Sequence, residues 1–172
     1  VLDITHKIED IFNGRHLIIL TADNDLVSLS VYLRSIRTKT PVMLLSNDID
    51  SSELEVIINK FRPSFLISCN NRIGTLKDKH ITRSLQNYHL FEFKQFHPVK
   101  IFDNLALLLP TSGSTGTAKF VRISYQNIAH NTQSIIRFLK INCEDITITT
   151  LPMNYSFGLS IINTYVEMGA CL

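Results

Sequence analysis

Residues 16–67, HLIILTADNDLVSLSVYLRSIRTKTPVMLLSNDIDSSELEVIINKFRPSFLI, alternate short apolar runs with helical periodicity. The runs at 16–20, 41–45 and 65–67 are the length of buried strands. Between the first two, Asp23 offers an N-cap, and Leu26, Leu29, Leu33 and Ile36 recur at helical spacing. Between the second and third, Asp50 with Glu53 three positions on resembles a capping box. Leu54, Ile57, Ile58 and Phe61 then form one apolar stripe. Strand, helix, strand, helix, strand at this spacing predicts right-handed crossover units on a parallel sheet.

Beyond Ile67, Tyr88, Leu90, Phe91 and Phe93 suggest one more strand. Residues 71–87 are polar and read as a loop with a helical turn. Residues 106–109 are a buried strand and 120–124 a short one, after which Ser124 caps a helix to about Leu139. Residues 146–151 are a β-branched run, and 158–168 a further helix. The expected fold class is α/β, a mostly parallel sheet with flanking helices. Its 172 residues suffice for one domain with a real core.

Composition excludes several functions. Seventeen Lys and Arg against fifteen Asp and Glu create no long-range field that would recruit nucleic acid or an anionic membrane. No apolar run is long enough to span a bilayer. Cys69, Cys143 and Cys171 are odd in number and widely spaced, which fits a reducing cytoplasm rather than a disulfide framework. No charged-then-apolar leader opens the chain, so secretion is not expected. His6, His16, His80, His89, His97 and His130 show no metal-ligand spacing, and no metal site is expected from side chains. Val1 in place of Met, and Gly169, Ala170, Cys171 and Leu172 reading as a strand just begun, lead to the expectation of a piece of a longer protein.

The chemistry concentrates at Thr111-Ser112-Gly113-Ser114-Thr115-Gly116-Thr117-Ala118-Lys119. Glycines let a backbone approach a ligand closely, and successive N–H groups in such a turn form an anion nest. The hydroxyls of Ser112, Ser114, Thr115 and Thr117 add donors, and Lys119 adds a mobile positive charge suited to a polyphosphate. An ordinary surface loop has the same composition. The phosphate loop G-x-x-x-x-G-K-[ST] does not fit, because Ala118 stands where its second glycine belongs and Phe120 where its hydroxyl belongs. Residues 120–123 also read as strand, whereas that loop feeds a helix.

The nonapeptide closely resembles the phosphate-binding signature of the adenylate-forming superfamily, which includes acyl-CoA synthetases, luciferases and peptide-synthetase adenylation domains. That signature runs T-S-G-[ST]-T-G-x-P-K-G-V, then a short strand, Ser-His-x-Asn and a helix; Ser124 and Asn127 stand in the expected places. Leu151-Pro152-Met153-Asn154-Tyr155-Ser156-Phe157-Gly158-Leu159 resembles the family's L-P-x-x-H-x-x-G-[LM] segment. The resemblance covers the chain and is specific from about Leu107 onward. Ala118 replaces the usual proline and Phe120 the usual glycine, where its ring would crowd an approaching group. Tyr155 replaces the usual histidine, so a role that needs imidazole to titrate is lost. Tyr155 fits either a pocket wall or a core tyrosine.

The resemblance implies the N-terminal part of an AMP-binding domain over residues 1–172, with 105–172 carrying both motifs. It implies that Thr111, Ser112, Gly113, Ser114, Thr115, Gly116, Thr117 and Lys119 hold ATP phosphates. Tyr155, Phe157 and Gly158 would line an acyl pocket. It further implies an ATP-dependent ligase that joins a small-molecule carboxylate to a thiol, commonly coenzyme A, with Mg2+ carried on the phosphates. In that family the base and ribose contacts, the magnesium-binding glutamate and the lysine that meets the carboxylate come later in the chain. No catalytic residue is therefore expected within these residues, and the piece alone should be inactive. The alternative is a non-catalytic nucleotide-binding or interaction module on the same fold.

Overall fold

The computed structural model describes residues 6–69, 80–94, 99–111 and 119–172. Its strands are β1 (Ile18–Ala22), β2 (Val42–Ser46), β3 (Phe65–Ser68), β4 (His80–Leu85), β5 (Tyr88–Glu92), β6 (Leu105–Pro110) and β7 (Phe120–Ser124). They form one seven-stranded sheet in the order β4-β5-β3-β1-β2-β6-β7. The pairs β1–β3, β1–β2 and β2–β6 are parallel, and β5 and β7 run against their neighbours. The parallel centre with two reversed strands is the mostly parallel α/β sheet expected from residues 16–67.

The helices are α1 (Leu26–Thr38), α2 (Ser51–Phe61), α3 (Tyr125–Leu139) and α4 (Ser156–Met168). Central strands are covered on both faces, which is why they read as unbroken apolar runs. In β1, Ile18, Leu20 and Ala22 join the cluster formed with α1 and α4, whereas Ile19 joins the cluster under α2. Each such fully buried Leu or Ile contributes about 1.5–3 kcal/mol of burial free energy. Leu54, Ile57 and Ile58 of α2 are buried with Phe61 packed beside them, as their spacing predicts.

Several expectations are corrected. The N-cap of α1 is Asp25, not Asp23; its carboxylate accepts the Ser28 N–H at 2.8 Å and the Tyr88 hydroxyl at 2.8 Å. Asp23, Asn24 and Asp25 are all competent caps, and only the turn out of β1 selects among them. The inward face of α1 keeps Leu29, Leu33 and Ile36, half-buried against the core, but extends beyond that stripe. Leu26 is exposed, while Val27, Val31, Ser28 and Ser35 are buried. Serines let the helix lie close to the sheet, and they remain satisfied: the Ser35 hydroxyl donates to the Val31 carbonyl at 2.8 Å, and Ser28 Oγ lies 2.9 Å from the Tyr88 hydroxyl.

Residues 80–85, read as loop, are β4, paired antiparallel to β5 with an irregularity between Ile81 and Arg83. Residues 71–79 of the expected loop lie outside the described residues. The β-branched run at 146–151 contributes one isolated parallel bridge, from Ile146 to Cys171, so the residues read as a strand beginning at 169–172 do make a strand-like contact.

Ahead of β1, His16 stacks edge-on against Phe65 at 5.2 Å, with Nε2 2.6 Å from the Ile11 carbonyl oxygen. Burial pulls its pKa below the ordinary 6.5, with the Ile11 hydrogen bond opposing. The folded pKa lies below the unfolded one, so between them the native state binds fewer protons. Stability is therefore lost as pH falls below 6.5 toward the folded value. Asp10, held low chiefly by its hydrogen bond to Arg83, adds a second loss at more acidic pH. Thermal melts should show Tm falling from pH 7 into the acid range, and His16→Gln should remove the first part of that fall.

Candidate functional site

The antiparallel pair β6–β7 closes the ends of the Gly- and hydroxyl-rich segment. Pro110 pairs with Phe120, and just beyond them the Thr111 N–H donates to the Lys119 carbonyl at 2.9 Å, with Thr111 Oγ1 3.3 Å from the same oxygen. Ser112, Gly113, Ser114, Thr115, Gly116 and Thr117 lie outside the described residues. Their anchors are fixed: the segment leaves a strand and returns to a strand, as residues 120–123 indicated. The helix comes only afterwards, with a reciprocal cap in which Asn127 N–H donates to Ser124 Oγ at 3.1 Å and Ser124 N–H donates to Asn127 Oδ1 at 3.0 Å.

The segment is rooted at the carboxyl end of the parallel strands, the edge at which open α/β sheets bind ligands. There a cleft of about 400 Å3 is lined by Ser46, Asp48, Pro110, Phe120, Asn154 and Tyr155, among others. Tyr155 is 57% exposed, so it is not a core tyrosine. Phe157, 66% exposed, instead lines a groove of about 510 Å3 with Asn127, Asn131 and Asn163 of the surrounding helices. Gly158 is buried, and a Cβ built on it would meet the Pro152 carbonyl oxygen at 2.5 Å. Tyr155 and Phe157 thus line neighbouring hollows, and Gly158 sits where α4 approaches the 151–152 backbone.

The Lys119 side chain lines a third and larger cavity, of about 600 Å3, on the α2 side of the sheet. Arg15, Lys60, Arg62, Lys100 and Arg122 line it too, so cations dominate its charged rim. Phe120 stacks edge-on against Phe61 at 5.0 Å, which turns its ring toward α2. Sequence reasoning missed Ser46, Asp48 and Asn154 as cleft residues. Asn154 lies within the 151–159 segment beside Tyr155, whereas Ser46 and Asp48 belong to no motif and reach the cleft only through the adjacency of β2 and β6.

Among the described residues no group of three His, Cys, Asp or Glu side chains could hold a metal ion. No helix among them is long and apolar enough to cross a membrane. Cys69, Cys143 and Cys171 are free.

Sheet order and helices on both faces define an α/β domain with a hydroxyl-rich connection rooted at the carboxyl edge of its parallel strands. The chain belongs to the AMP-binding enzyme family, whose profile it matches over residues 35–172. Among curated proteins it is similar to the beta-alanine-activating enzyme of Mus musculus, 39% identical over 70 residues, covering 40% of this chain and 6% of that one. Its fold is similar to that of apo MatB from Rhodopseudomonas palustris, with a TM-score of 0.73 and 15% identity, covering 98% of this chain and 37% of that one. It is likewise similar to VinN in complex with 3-methylaspartate, with a TM-score of 0.75 and 20% identity, covering 98% of this chain and 50% of that one. The chain thus spans at most half the length of each of these relatives.

Proposed function

We propose that this chain is the phosphate-handling part of a ligase that activates a small carboxylate with ATP and passes the acyl group to a thiol, most simply coenzyme A. The observation that carries the reading is the shared cleft: the root of the 111–119 segment and Tyr155 line one cavity at the carboxyl ends of β2 and β6. Membership of the AMP-binding enzyme family supports it. So do the fold relatives, one of which is a fatty acyl-adenylate ligase from L. pneumophila in complex with acyl adenylate and pyrophosphate.

On this reading the carboxylate oxygen attacks the α-phosphorus, the bond to the β-phosphate breaks, and pyrophosphate leaves. The amides and hydroxyls of Thr111 to Thr117, with the Lys119 ammonium, hold the β- and γ-phosphates and neutralise charge that builds on the leaving group. Mg2+ would be carried by phosphate oxygens rather than by side chains of this chain, and would supply further charge neutralisation there. Tyr155 forms part of the wall that receives the acid. Three free cysteines fit a cytoplasmic setting.

The test is carboxylate-dependent exchange of pyrophosphate into ATP by the full-length parent, across fatty, aryl and amino acids. Exchange with at least one of them is expected, and none from residues 1–172 alone. A parent silent with the entire panel would overturn the reading in favour of a non-catalytic module.

A further inference from the structure

We infer that Asn24, in the turn between β1 and α1, is a positioning residue that sets where the acid-binding wall stands. The inference rests on the reading of Tyr155 given above. The Asn24 Nδ2 group donates to the Thr149 carbonyl at 2.9 Å and to the Leu151 carbonyl at 2.9 Å, and Oδ1 accepts the Met153 N–H at 3.0 Å. One carboxamide therefore uses both of its donors and its acceptor on a single stretch of backbone 125–129 residues away. The pattern also fixes the amide's orientation, since the reverse would set oxygen against two carbonyls.

The stretch it holds needs such a partner. The bridge to Cys171 ends with the Thr147 N–H, which donates to the Cys171 carbonyl at 3.1 Å, and residues 148–150 beyond it belong to no strand or helix. Downstream the backbone is pinned again: Met153 is buried in the core, and the Tyr155 N–H donates to the Pro152 carbonyl at 3.1 Å. Asn24 is itself oriented by its N–H, which donates to Asp23 Oδ1 at 2.8 Å. The turn leaving β1 thereby dictates the path of residues 149–153 and, two residues on, the place of Tyr155 in the cleft.

Position and stability separate here because Asn24 is exposed. Removing its amide lets water reach the freed groups, so the fold persists while the segment loses its registration. A shift of about 1 Å in a substrate-positioning element is enough to cost on the order of 100-fold in rate. The phosphate segment is anchored separately, through β6, β7 and the Thr111–Lys119 bond, and should not feel the change.

The experiment compares Asn24→Ala and Asn24→Asp with wild type in the full-length parent, measuring KM for the carboxylate and for ATP by pyrophosphate exchange. Asn24→Asp keeps the shape and the acceptor for Met153 but turns an oxygen toward two carbonyls, so it should be the more severe. The expected result is a carboxylate KM raised at least ~10-fold with the ATP KM within about twofold. Amide hydrogen exchange should quicken at Met153 and not in β1 or β2. Unchanged constants, or equal rises in both, overturn the inference. Failure of both variants to fold overturns it too, because it requires the contact to be dispensable for folding. A parent that uses no carboxylate removes the underlying reading and this inference together, whereas an active parent with unmoved KM values removes this inference alone.

Discussion

Alanine at Lys119 should lower the parent's carboxylate-dependent pyrophosphate exchange by about 100- to 1,000-fold, the usual cost of removing one group that stabilises developing charge. The fold should barely register the change. Lys119 contributes to the β6–β7 closure through its carbonyl, which accepts from Thr111, and alanine keeps that carbonyl. Its side chain is exposed and has no hydrogen bond or ion pair among the described residues. Surface substitutions of that kind stay within about 0.5 kcal/mol. A large kinetic loss with an unmoved Tm would therefore isolate the ammonium's work on phosphate. Lys119→Arg should recover only part of the rate, since a planar fork replaces a compact charge beside the existing guanidinium groups of Arg15 and Arg122. An alanine variant with wild-type exchange would mean that the ammonium faces no polyphosphate and that the 111–119 segment is an ordinary loop.

What the sequence reveals depends on how local the deciding physics is. Strands β1, β2, β3 and β6 are legible because burial on both faces forces unbroken apolar runs. The start of α3 is legible because its cap joins residues three apart, Ser124 and Asn127. β4 is not legible: HITRSL carries no apolar alternation, and its pairing with β5 is written in backbone hydrogen bonds. The same contrast divides the site. The ends of the nonapeptide can be placed from sequence because strands flank it directly. Its convergence with Ser46, Asp48 and Tyr155 cannot, since that requires knowing that β2 and β6 are neighbours. Asn24 is invisible for the same reason, with every partner of its side chain more than a hundred residues away. The choice of Asp25 over Asp23 turns on one bend in the backbone between equivalent carboxylates.

Gly158 stands where two pieces of backbone meet, and its replacement by alanine should be one of the more damaging single-methyl changes among the described residues. The sequence resemblance placed it in an acyl pocket. In the structure it is buried in the first turn of α4, where an added Cβ would lie 2.5 Å from the Pro152 carbonyl oxygen and 2.6 Å from that of Leu151. Both obstacles are backbone, so neither can swing aside as a side chain would. The Leu151 carbonyl is also held by Asn24, and Met153 anchors the segment in the core. Relief requires α4 to move outward or the 151–153 segment to leave its tether.

Two effects compete. Alanine gains up to about 1 kcal/mol of helix propensity over glycine, whereas overpacking a filled site costs about 1–3 kcal/mol and sometimes more. Contacts this short against fixed backbone lie at the severe end, so the steric effect wins and the net change is destabilising. At roughly 2–4 °C per kcal/mol for a chain of this size, thermal denaturation should show Tm lower by several degrees, and Gly158→Val should be worse. The sign is decisive. At an uncrowded helix position the same substitution raises Tm, so a Gly158→Ala variant as stable as wild type would show that α4 does not press against the Leu151 and Pro152 carbonyls. In a variant that does lose stability, the displaced segment carries Tyr155 with it, and on the proposed reading the parent's carboxylate KM should rise while its ATP KM holds, because the β6–β7 connection is anchored separately.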